Sequence, residues 1–255
     1  MPVSFLSQAQ RESYGRYAAA PSPLDLARYF HLDGTDHALI AQKRGAHNRL
    51  GFAVQLGIVR YLGTFLEDPL VVPAPVLHVL ATQLDIMSAV DTQAYSAGEQ
   101  RWQHAAEIRT RYGYVEITER QAGFRLTRWL YALCCTGTDR PNALFEWAAT
   151  WLVTHKVLLP GCSTLECYVA RLRSRVEERL WRSLARGISS EQQAKLENLL
   201  GVASGNRKSQ LDHLRTGPVM VSGPSLALLR LQSVRELGIT LPASARIPAT
   251  RVGRP

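Results

Sequence analysis

Six arginines fall within residues 170–187, ARLRSRVEERLWRSLARG, a stretch that holds no lysine. Arg171, Arg175, Arg179, Arg182 and Arg186 recur at the spacing of one helical face. Leu165, Val169, Leu172, Val176, Leu180 and Leu184 recur at the same spacing along another. The pattern predicts a helix with a buried apolar stripe and a cationic side. Like charges one turn apart repel by roughly 0.2–0.5 kcal/mol per pair. Glu177 and Glu178 relieve only part of that repulsion, and a polyanion relieves the rest by releasing its counterions. A solvated, partly salt-bridged face would give the same spacing.

Two other clusters offer similar chemistry. Thr35, His37, Gln42, Lys43 and Arg44, with His47, Asn48 and Arg49 just beyond, can donate to phosphates and base edges. On 97–112, Arg101, His104 and Arg111 fall on one side with Arg109 near, and Trp102, Ala105, Ala106 and Ile108 fall largely on the other. A solvated helix face over a core would look alike.

Catalytic signals are absent. The chain has no phosphate-binding glycine loop, no dinucleotide fingerprint, no H-E-x-x-H and no nucleophile elbow. Cys134 and Cys135 are adjacent and Cys162 and Cys167 have four residues between them, so neither pair has C-x-x-C spacing. They read as small buried residues rather than as a zinc site with His155, and no base stands near Cys135 or Cys167 to make a hydrolase. Asp25, Asp33 and Asp36 read as cap and turn residues rather than as a metal site. The expectation is no cofactor and no metal.

The elements that must position these side chains are helices. Ser22 caps SPLDLARYF with Pro23 at the first helical position. HLDGT is a turn, and Thr35 caps a second helix over 36–44. This is a helix-turn-helix pattern, with small Ala27 allowing close approach and the second helix as reader. A third helix carries Leu50, Val54, Ile58, Leu62 and Phe65. Further helices are expected over 76–84, 97–112, from 124, to 156, over 164–186, over 189–201 with Ser189 and Gln192 in a capping box, and over 223–238. GYVEI, 113–117, is the one strand candidate, and it is too short to carry a sheet. The fold class is all-α, several small helical bundles with a helix-turn-helix-like module near the N-terminus. The expected organisation is that module over 1–68, a second helical DNA-binding module over 69–163, a basic helical module over 164–238, and a tail or truncated connection over 239–255.

Charge follows the same division. Residues 1–100 hold seven Lys/Arg against nine Asp/Glu, whereas 101–255 hold the whole excess that makes the net charge +9. Of the 30 cations only four are lysine, and arginine's planar fork suits phosphate and guanine. No apolar run reaches the ~20 residues of a membrane span, and MPVSFLSQAQ lacks the features of a signal peptide. The expectation is a cytoplasmic protein with no membrane partner.

Three stretches carry a resemblance. They are MPVSFLSQAQRESYGRYAAAPSPLDLARYFHLD, HNRLGFAVQLGIVRYLGTFLEDP and FRLTRWLYALCCTGTDRPNALFEWAATWLVTHKVLLPGCSTLE. Over 1–248 the chain resembles the N-terminal region of Tn3-family transposases. The resemblance implies sequence-specific binding of double-stranded DNA at transposon terminal inverted repeats, in bacteria, at the nucleoid when bound. It implies self or full-length transposase as further partners. The family's RNase H-like catalytic domain, with an acidic triad that needs Mg, is expected far downstream, so this chain is read as truncated before it and as no enzyme. The alternatives are a basic helical protein-interaction module and a non-functional transposase remnant.

Overall fold

A computed structural model describes residues 4–86, 93–136, 140–185, 188–202, 205, 207–216 and 224–238. The all-α expectation holds. Helices α1 (Gln8–Ser13), α2 (Pro23–Tyr29), α3 (Gly34–Ala41), α4 (Ala46–Leu62), α5 (Ala74–Gln83), α6 (Gln93–Ala97) and α7 (Gln100–Tyr112) precede a short strand β1 (Val115–Glu116). Then come α8 (Arg120–Thr136), α9 (Pro141–Thr154), a second strand β2 (Val157–Leu158), α10 (Cys162–Ala185), α11 (Ser190–Leu200), α12 (Gln210–Thr216) and α13 (Pro224–Glu236). The chain divides into two compact units, residues 1–174 and 175–255.

The first unit is built around α4. Every residue from Leu50 to Val59 is buried, and α2, α3, α5, α6, α7 and α9 all pack on this helix. A helix enclosed on every side needs places where neighbours can come close to its backbone. Gly51 and Gly57 provide them: an added Cβ would lie 2.4 Å from the Tyr95 ring at the first and 2.4 Å from the Phe30 ring at the second. Phe30, Leu32, Ile40, Val76, Leu80 and Ile108 complete the core around it.

Local signals set most helix starts. Ser22 caps α2 and Ser189 caps α11, each in a reciprocal box with the residue three positions on. The expected cap of α3 needs correction. Asp33, not Thr35, accepts the Asp36 N–H, and the Asp36 carboxylate accepts the Asp33 N–H. The helix therefore begins at Gly34 and ends at Ala41, short of Arg44. The helix expected over 97–112 is α7, which begins only at Gln100; a separate short helix, α6, precedes it and ends at Ala97, where the Gly98 N–H bonds the Tyr95 carbonyl.

Val115 and Glu116 pair in parallel with Val157 and Leu158. GYVEI thus supplies a strand, and its partner is the end of the stretch read as helix to Lys156. In the second unit α12 packs with both α11 and α13. α13 is apolar on most of its circumference, with Leu228, Leu231 and Val234 exposed. The tail expected over 239–255 lies outside the described residues. Among the described residues no helix is long and apolar enough to cross a membrane.

Candidate nucleic-acid interface

The corner between α3 and α4 gathers the first cluster. Thr35 stands exposed near the start of α3, and Gln42, its C-cap, and Arg44 are exposed at its end. Gly45 then takes a φ of +83° and serves as the N-cap of α4, with no side chain to bond the first amides. His47, Asn48 and Arg49 form that uncapped first turn and are half-buried. Asn48 Nδ2 donates to the Arg44 carbonyl, which ties the two sides of the corner together. Unsatisfied N–H groups and the helix dipole make the start of a 17-residue helix a place where negative charge is favoured. His37 is half-buried and lines an apolar groove with Leu26, Ala27, His31 and Gln83.

Two expected contacts point elsewhere. Lys43 turns inward: its Nζ lies 2.6 Å from a Glu107 oxygen and 4.8 Å from the Phe52 ring centroid. The cause is simple, because α3 ends before Lys43 and the turn aims the side chain at α7. His104 is buried in α7 rather than presented to solvent. Its Nδ1 lies 2.9 Å from Tyr95 Oη, and Gln55 Nε2 donates to the same oxygen. Burial, with the Lys43 charge, lowers its pKa to about 4. Two residues of α7 thus exchange the expected faces, Trp102 being 60% exposed and His104 buried, whereas Ile108 is buried and Arg109 and Arg111 are exposed as expected.

Of the remaining α7 cations, Arg101 is half-buried and Arg109 is exposed. Arg101 lies over the Trp102 ring and donates to the Glu67 carbonyl. Arg109 pairs with Glu116 at 2.7 Å. Arg111 is exposed, one turn beyond the Glu107 that holds Lys43, so the α3–α4 corner and this end of α7 are tied together.

The corner rests on a buried node that sequence reasoning missed. Asp36 is fully buried and accepts from Arg60 Nη1 and Nη2 at 2.9 Å each, from Tyr112 Oη at 2.6 Å and from the Asp33 N–H. Burial alone would raise its pKa, but the Arg60 and Tyr112 hydrogen bonds outweigh that and hold it below the usual value. The Asp33–Asp36 spacing announces the cap; nothing local announces Arg60 or Tyr112. Glu166 on α10 is a second such anchor, accepting from the Phe5 and Leu6 amides and from Arg11.

α10 separates its faces as its sequence requires. Leu165, Val169, Leu172 and Val176 are buried. Arg171, Arg175, Arg179 and Arg182 are exposed, Arg182 paired with Glu178 at 2.7 Å. Arg186 lies outside the described residues. The four cysteines are free thiols. Among the described residues no three His, Cys, Asp or Glu side chains gather to hold a metal ion.

Comparison with known proteins places the chain in a family. The family described as "Domain of unknown function (DUF4158)" matches residues 5–172. The chain is 42% identical over 255 residues to the transposase for transposon gamma-delta of Escherichia coli (strain K12), covering 99% of this chain and 25% of that protein. It is 33% identical over 197 residues to the transposase for transposon Tn501 of Pseudomonas aeruginosa, covering 76% and 20%. It is 30% identical over 177 residues to the transposase for transposon Tn1546 of Enterococcus faecium, covering 69% and 18%. The chain spans about a quarter, or less, of the length of these relatives. With its match running from residue 5 into the first half of α10, the chain belongs to the DUF4158 family, in a segment it shares with Tn3-family transposases.

Proposed function

We propose that the chain binds double-stranded DNA in Tn3-type transposition and recognises the terminal inverted repeats of the transposon. The observation that carries this reading is the arginine row of α10, kept outward by the buried stripe behind it. Arginines on a fixed helix face meet a phosphate backbone at little ordering cost, and binding releases counterions. α3 is the reader: Thr35 and Gln42 stand on its solvent side, where hydroxyl and amide can meet base edges. Arg44 and the uncapped start of α4 hold the adjacent phosphates. In this division of labour the α3–α4 corner sets sequence preference and the arginines set affinity. The chain contributes binding, in the bacterial cytoplasm and at the nucleoid, beside copies of itself or full-length transposase; strand transfer belongs to other parts of the longer relatives.

The test is a titration of the chain against a duplex carrying the element's own terminal repeat and against a shuffled duplex, over a salt series. We expect preference for the repeat and a log–log salt slope of about −0.9 per neutralised phosphate. Equal affinity for both duplexes, or affinity independent of salt, would exclude this reading. The exposed Leu228, Leu231 and Val234 of α13 favour a second reading, a protein-interaction module. Protection of the chain from protease by the repeat duplex separates the two.

A further inference from the structure

The seam between α8 and α9 presents a surface that the duplex contacts above leave unused. α8, RQAGFRLTRWLYALCCT, carries three arginines and no carboxylate. Its buried side is Ala122, Leu126, Leu130 and Cys134, which leaves Phe124, Arg125 and Arg128 exposed. α9 buries Leu144, Phe145, Ala148 and Leu152, and Trp147, Trp151 and the adjoining His155 form a column one turn apart on its flank. The acid of α9, Glu146, lies off this column and accepts from Gln10.

The two helices pack together, and rings meet across the seam. Trp129 and Trp151 have centroids 6.1 Å apart, Trp151 and His155 stack at 3.9 Å, and the Arg125 guanidinium lies 5.8 Å from the Trp151 centroid. The same two helices also hold two rings in water: Phe124, 65% exposed, and Trp147, 41% exposed.

The combination selects a partner. An acidic protein surface would answer Arg125 and Arg128 but offers little to open ring faces. A duplex offers phosphates but keeps its base faces in the stack. Single-stranded nucleic acid offers both at once, phosphates for the guanidinium groups and π-faces for the rings. We propose that the α8–α9 seam is a stacking platform for unpaired bases, with Phe124 and Trp147 receiving them and Arg125 and Arg128 holding the backbone. This goes beyond the duplex reading and does not depend on it.

The experiment compares three probes on the full chain: an oligothymidylate strand, a strand of the same length made wholly of abasic sites, and a duplex of shuffled sequence. The thymidine strand is expected to bind at least about tenfold tighter than the abasic one, since stacking on a single aromatic ring is worth that much or more. Phe124→Ala and Trp147→Ala should each remove about tenfold from thymidine-strand binding and leave the abasic strand and the duplex unchanged. Both rings are exposed, so neither truncation opens a cavity, and circular dichroism checks that the helices persist. The comparison of thymidine with abasic strands needs no variant at all. Equal binding of those two strands would overturn the platform, as would variants that weaken all three probes alike. Loss of repeat preference with thymidine-strand stacking intact would instead overturn the duplex reading alone.

Discussion

Two buried side chains decide what the α3–α4 corner can withstand. Asp36 is charged and enclosed, and its charge is tolerable only because Arg60, Tyr112 and the Asp33 amide converge on it. Asp36→Asn keeps the shape but leaves Arg60 without its counter-charge. We expect a loss of about 3 kcal/mol in urea denaturation, with weaker duplex binding following from the loosened corner. His104 sets a pH response. Unfolded, it titrates near 6.5; folded, burial and Lys43 bring it to about 4. Between those values the unfolded chain holds more protons, so stability is full above pH 6.5 and falls as pH is lowered toward 4. The loss is roughly 3 kcal/mol at most. In His104→Gln, whose amide still accepts from Tyr95, denaturation midpoints should flatten across that window. Neither role was legible in the sequence. Asp36 read as a cap and His104 as a surface residue, because the partners that bury them come from 24 and 76 residues away in one case and from a different helix in the other.

At the scale of elements, the legible part was whatever is written within one turn. Ser22 and Ser189 announced their helices, and the apolar stripe of α10 announced its buried face. α1 and α12 went unread because six and seven residues are too few for a period to show. The exchange of His104 and Trp102 on α7 has a tertiary cause: Tyr95, itself bonded by Gln55, gives His104 a polar niche inside. The enclosure of α4 yields the sharpest test. Gly57→Ala puts a methyl group 2.4 Å from the Phe30 ring, which belongs to the fully buried core. Propensity alone would favour alanine by about 1 kcal/mol, but overpacking costs about 1–3 kcal/mol or more, and so tight a contact decides the sign. We expect net destabilisation of roughly 1–2 kcal/mol by denaturant titration.

For the whole molecule, the positive excess past residue 100 predicts behaviour more than contacts do. Arg171→Gln and Arg175→Gln should each weaken binding of repeat and shuffled duplexes alike and reduce the salt slope by about 1, as for a side chain that meets one phosphate. Thr35→Ala and Gln42→Ala should do the opposite, narrowing the gap between the two duplexes and sparing the slope. The division of charge was legible from composition, and so was the helical class. The path of the chain was not, since a two-residue strand carries no periodicity. That strand has a consequence of its own. β1 meets β2 at two residue pairs, and Ile117 and Lys156 bound the segment between them. The α8–α9 hairpin is a lasso whose knot is seated in the core by Val157 and Leu158, so a charged residue at either place would slacken the noose without touching it.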